Sequence, residues 1–124
     1  MKYEVKIPIP GFEDVKEVEL VEVDGNFSVL KDDKGNVLFT LINPYSMRPD
    51  YTFEIPADVK ALLDLDKNQK GVLVFNNVVM KEPITEAYVN FKAPFIFNPE
   101  NHTCAQVILP DEGYAKIGDF VKDK

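Results

Sequence analysis

The sequence predicts a mainly β protein: a small antiparallel barrel, closed or pseudo-closed, with one short α-helix at about residues 57–65. Three observations carry that expectation. Apolar and polar residues alternate with period two through most of the chain. Turn residues such as Pro10-Gly11, Asp24-Gly25-Asn26, Lys34-Gly35-Asn36 and Pro110-Asp111-Glu112-Gly113 recur at short intervals and cut it into eight or nine short strands. Nine Phe and five Tyr, with no Trp, favour pleated structure over helix.

Taken in order, Tyr3, Val5, Ile7 and Ile9 alternate with Glu4, Lys6 and Pro8, a half-buried first strand whose proline marks a sheet edge. Pro10-Gly11 turns it. Between Lys16 and Val23 the phase slips, with Val18 and Leu20 on one face and Val21 and Val23 on the other, so a bulge is expected there. Phe27 to Leu30 is a short strand, Lys31 to Asn36 a hairpin tip with Gly35 available for positive φ, and Val37 to Ile42 a continuous apolar run, hence central. Asn43-Pro44 stops it. The loop from there to Tyr51 carries Pro44, Tyr45, Arg48, Pro49 and Asp50, more side-chain chemistry than a connector needs.

Phe53 and Ile55 end a further strand at Pro56. Val59, Leu62 and Leu63 then recur at helical spacing through about Leu65, with Asp58 suiting the positive helix start and Asn68 to Gly71 ending the element. Val72 to Val79 is a strand, Lys81-Glu82-Pro83 a turn, and Ile84 to Phe91 leads into a buried hairpin spanning Tyr88 to Leu109. Its arms are Val89, Phe91, Phe95 and Phe97 before the Asn98 to Asn101 turn, and Val107 to Leu109 after the loop. Asn90 interrupts the apolar run, and Ala93-Pro94 sits where a ladder donor is needed, so this stretch is an edge, a kink or a crossing between sheets. Such a bend lets a small sheet turn a corner and close. The charged tail from Tyr114 is expected to fray.

A chain of 124 residues, taken as one domain over 1–124, buries about 65% of the surface its unfolded form exposes. No apolar run approaches the ~20 residues that span a bilayer, and Met-Lys-Tyr-Glu-Val lacks the apolar core of a secretion signal, so a cytoplasmic location is expected. The single Cys104 fits a reducing compartment. A net charge of −7 disfavours nucleic acid and anionic membrane, which both demand basic surface, and leaves room for a basic protein partner. Much of that charge lies at Glu13, Asp14, Glu17, Glu19, Glu22 and Asp24, opposed only by Lys16. The strip reads either as a solvated face or as an electrostatic landing site.

Catalytic chemistry is scarce. His102 and Cys104 lie two apart with no orienting third group, and one His with one Cys excludes a histidine-rich or thiolate metal site. Acidic pairs such as Glu13-Asp14 and Asp32-Asp33 are sequence neighbours, the usual pattern of solvation. The six glycines stand singly, with no phosphate-binding loop, and no cofactor is expected. Asn76-Asn77 inside an apolar strand reads as amides capping nearby backbone. Two other classes stay open: a small acidic barrel binding a ligand or cofactor in its mouth, and a carboxylate hydrolase.

Ile9-Pro-Gly-Phe-Glu13, Leu38-Phe-Thr-Leu-Ile-Asn-Pro44, Pro49-Asp-Tyr51, Asn90-Phe-Lys-Ala-Pro-Phe-Ile-Phe-Asn98 and Gln106-Val-Ile-Leu109, in that order, resemble the FliW family of flagellar assembly factors over about residues 9–114. Phe91 stands where the family usually has leucine, Ala105 where glycine-containing turns are common, and the tail is short. The resemblance implies a cytoplasmic, non-enzymatic partner switch. Such proteins bind flagellin in a chaperone-like role and, once flagellin is secreted, bind CsrA, an RNA-binding repressor of flagellin translation, away from its RNA site. The implied contact residues are Phe12, Glu13 and Asp14 in the first turn; Asn43, Tyr45, Asp50 and Tyr51 in the long loop; and Asn90, Asn98 and Gln106 in the hairpin. Each has a structural alternative: Asn43, Asn90 and Asn98 satisfy backbone groups at strand ends, and Tyr45 and Tyr51 are core aromatics.

Overall fold

The computed structural model describes residues 1–65 and 71–120. Among the described residues nine strands form, in chain order: β1 (Lys2–Val5), β2 (Glu17–Glu22), β3 (Phe27–Lys31), β4 (Val37–Ile42), β5 (Leu73–Val79), β6 (Tyr88–Asn90), β7 (Phe95–Asn98), β8 (Thr103–Gln106) and β9 (Tyr114–Lys116). The helix α1 (Ala57–Leu62) lies between β4 and β5. Strands β4, β3, β2, β1, β8, β7 and β5 pair in that order, and β5 returns to β4 to close a seven-stranded barrel. Strand β6 branches from β5 and carries β9 on its far side.

Strand parity sorts the side chains into three packed layers. Tyr3, Val18, Leu30, Leu41, Phe95 and Phe97 fill the barrel interior, with the Tyr3 and Phe97 rings edge-to-face at 4.9 Å. Each such burial contributes about 1.5–3 kcal/mol. Outside β7 and β8, Ile96, Ala105 and Val107 are covered by Ile55, Val59 and Leu63 from α1 and the segment before it. Outside β6, Val78, Val89 and Ile42 are covered by Tyr51, Phe91 and Ile117.

The mainly β barrel with one helix is the predicted fold, with differences that follow from which edges find partners. The β1–β8 pair is parallel, whereas the barrel's other pairs are antiparallel. The first strand stops at Val5 and is paired on both sides, so Pro8 lies beyond it rather than on an edge. β2 is regular, and the register shift falls instead between Leu30 and Lys31 in the β3–β4 pair. Phe53 to Ile55 form no strand; Phe53 and Ile55 pack instead into the outer apolar layer with Val59, Val72 and Val74. The helix ends at Leu62, with Leu62 exposed and Val59 and Leu63 buried. The predicted terminator Asn68 to Lys70 lies outside the described residues. The strand after the hairpin loop is Thr103–Gln106, not Val107–Leu109. The tail through Phe120 is ordered, with β9 on β6 and Ile117 buried beneath it.

Candidate protein-binding surface

The Tyr88 to Leu109 stretch bends where its proline predicts. Strands β6 and β7 both pair with the same side of β5, yet from Val78↔Val89 to Phe75↔Phe95 there are three steps along β5 and six along the other chain. Three extra residues therefore bulge out around Phe91–Pro94. The bend hands one apolar run to two neighbours, β9 beside β6 and β8 beside β7.

A bulge of that size strands backbone groups that must be satisfied. Asn76, on β5 opposite the gap, donates Nδ2 to the Asn90 carbonyl at 2.9 Å and to the Tyr51 hydroxyl at 3.2 Å. The Tyr51 hydroxyl donates in turn to the Phe91 carbonyl at 2.7 Å. The Lys92 N–H reaches Asn90 Oδ1 at 3.0 Å, and the Gln106 amide donates to the Ala93 carbonyl at 3.2 Å. The 107–113 segment wraps the other side: Val107 N–H donates to Pro94, Leu109 N–H to Lys92, and Phe91 N–H to Gly113. Burial pushes the Tyr51 phenol's pKa up, so it stays a neutral donor.

Arg48 locks the long loop onto this frame. Its guanidinium meets the Glu112 carboxylate with two nitrogens, at 3.0 and 3.5 Å, and lies 4.7 Å from the Phe91 ring centre and 5.1 Å from that of Tyr51. A planar fork on a carboxylate with aromatic faces beneath is a geometry that lysine cannot reproduce. Asn43 begins the loop by accepting the Tyr45 N–H at 3.0 Å, which sets a 3₁₀ turn over Pro44–Ser46. The hairpin tip is tied elsewhere. Asn98 and Asn101 both donate to the Leu63 carbonyl at 2.8 Å, capping the end of α1.

Several of the predicted contact residues thus converge on the bend: Tyr45, Asp50, Tyr51, Asn90 and Gln106. Within that group Tyr51 and Asn90 are buried, whereas Tyr45 and Asp50 are exposed. Asn43 is exposed while serving as a cap, and Asn98 is buried under the helix end. The first turn lies apart from these. Phe12 packs edge-on against Phe39 at 5.3 Å, while Glu13 and Asp14 face solvent. The Gly11 N–H bonds the Glu13 carboxylate and holds it below the ordinary carboxylate range. Arg48, Asn76, Asn101 and Glu112 complete these networks; the sequence marked Arg48 in a chemically rich loop and Asn76 as an amide capping nearby backbone, which it is, while nothing in it pointed to Glu112.

The acidic strip divides on the barrel. Glu17 and Glu19 sit on the outer wall, but Glu22 has the opposite parity and turns to the barrel end. Glu19 is directly opposite Lys2 on one side and Lys31 on the other, so that rung alternates in sign. His102 is exposed, whereas burial pushes the Cys104 thiol up to about 12, leaving no thiolate for nucleophilic work. Among the described residues no three His, Cys, Asp or Glu side chains are grouped to hold a metal, and no helix is long and apolar enough to cross a membrane.

The protein-family model "FliW protein" matches residues 2–117. Flagellar assembly factor FliW 1 of Wolinella succinogenes is 47% identical over 130 aligned residues, covering 99% of this chain and 100% of that protein. Flagellar assembly factor FliW of Campylobacter lari is 41% identical, covering 98% of each. A crystal structure of the flagellar assembly factor FliW shares the fold at a TM-score of 0.87 and 23% identity, covering 99% of this chain and 88% of that one. A bent β barrel of this length, matched from its first strand to its last, belongs to the FliW family of flagellar assembly factors.

Proposed function

We propose that this chain is a cytoplasmic, non-enzymatic regulator that works by exchanging two protein partners. It binds flagellin and, when flagellin is exported, binds the translational repressor CsrA and lowers that protein's affinity for flagellin messenger RNA. The observation that carries this reading is family membership across residues 2–117. The architecture supports it: the barrel interior is filled by its own side chains, and polar groups at the bend are spent on rigidifying the backbone rather than converging on a reaction centre.

The physical requirement is differential affinity. The protein must hold the RNA-incompetent state of CsrA more tightly than the competent one, because equal affinity shifts nothing. Flagellin and CsrA must also exclude one another through shared or coupled surface. Tyr45, Glu13, Asp14 and Asp50 are exposed residues from which such contacts are built, with the frame behind Tyr45 and Asp50 fixed by Tyr51, Asn76, Asn90 and the Arg48–Glu112 pair. A rigid frame lowers the ordering cost of binding.

Size-exclusion chromatography with purified flagellin, joined to a CsrA–leader RNA binding assay, tests this. The protein should co-elute with flagellin and weaken the CsrA–RNA complex without contacting the RNA. Direct RNA binding with indifference to both proteins would overturn it.

A further inference from the structure

The β4–β5 pair that closes the barrel is short. It covers Thr40–Ile42 against Asn76–Val78, after which Pro44 turns the chain away from β4's line. β5 continues in the other direction through Phe75, Val74 and Leu73, paired with β7 on one side. Among the described residues, no strand pairs with Leu73–Phe75 on the other. A groove flanks this stretch of β5 on each face. The inner one, about 360 Å³, is the barrel mouth, with Tyr3, Leu20, Leu73 and Phe75 as apolar walls and Glu22 and Asp24 at its rim. The outer one, about 380 Å³, is apolar, lined by Tyr45, Phe53, Ile55, Val72 and Val74.

We propose that the Leu73–Phe75 edge accepts an extended segment of a partner polypeptide as an added strand, one with alternating basic and apolar side chains. Successive residues of a strand point to opposite faces, so the two grooves dictate the pattern. Inward residues are Lys or Arg, whose stems lie on Leu20, Leu73 and Phe75 while their heads reach Glu22 and Asp24. Outward residues are β-branched or aromatic and enter the groove beside Val72 and Val74. Both Asn26 and Phe27 N–H groups bond Asp24 Oδ1 at 2.8 Å, which holds that carboxylate in place at the rim.

The proposal stands apart from the identity of the natural partners and is tested on the full chain with capped synthetic hexapeptides. A Lys-Val-Lys-Val-Lys-Val peptide should shift the Leu73–Phe75 amides in NMR and protect those that point away from β7, and a Glu-Val-Glu-Val-Glu-Val peptide should not. A Glu22→Gln, Asp24→Asn variant keeps an oxygen acceptor for the 24–27 turn and should bind the first peptide about fivefold more weakly at low salt. Absence of binding, equal binding of both peptides, or shifts confined to other strands would each overturn the added-strand model.

Discussion

Replacing Tyr51 by Phe tests whether the bend is held by the network assigned to it. The substitution removes one oxygen and leaves a ring that packs against Phe53 and Phe91 at 5.3 and 5.2 Å. What is lost is the donor to the Phe91 carbonyl and one of two acceptors of the Asn76 amide. Both are buried, and Asn76 already has its Oδ1 without a partner among the described residues. A buried hydrogen bond contributes about 1 kcal/mol, and a buried acceptor left unmade costs about 1 more, so the expected loss is about 2 kcal/mol. For a chain of this length that lowers the melting temperature by about 8 °C. Chemical denaturation followed by circular dichroism should show a lower midpoint with an unchanged slope. Tyr45→Phe is the control, because Tyr45 is exposed and its hydroxyl bonds nothing among the described residues. That change should stay within about 0.5 kcal/mol. Equal stability of the two variants would refute the assignment of Tyr51 to the frame.

Further outcomes follow from the same geometry. Arg48→Lys and Glu112→Gln should each cost about 1 kcal/mol and couple in a double-mutant cycle, because the forked, half-buried pair acts as one unit. Asn98→Ala should speed hydrogen exchange in α1 and cost about 1–2 kcal/mol, since the Leu63 carbonyl loses one of its donors. Cys104 should resist alkylation at pH 8 in the native state and react on unfolding. Its folded value of about 12 lies above that of an unfolded thiol near 8.5, so the unfolded state sheds its proton first. Stability should therefore fall as pH rises through the alkaline range above about 8.5.

The parts of the fold readable from sequence are those set by local chemistry. The 31–36 hairpin tip forms around Gly35 at φ +86°, and Asp32 accepts the turn's own N–H groups. Pro94 produces a bend because any sheet loses a donor there. Harder to read are features set by what lies across the sheet. Alternation in residues 3–9 shows a strand-like run, but β1 ends at Val5, just past the Glu4–Glu17 rung where β2 begins, although β8 runs on to Gln106. Val107–Leu109 look like strand residues yet pair with the bulge through isolated bonds to Pro94 and Lys92. For the site, residue type marked Tyr51, Asn90 and Asn98 as unusual without saying which way they face. Each polar side chain in an apolar run has two explanations, and only the register, which puts Asn76 opposite the bulge, decides between them.

On the proposed function, one rigid barrel serves two protein partners in turn. A fluorescence titration of labelled protein with CsrA, repeated at increasing flagellin concentration, measures it directly. Flagellin should displace CsrA, raising its apparent Kd in proportion to flagellin concentration. A ternary complex with CsrA affinity unchanged by saturating flagellin would contradict the account.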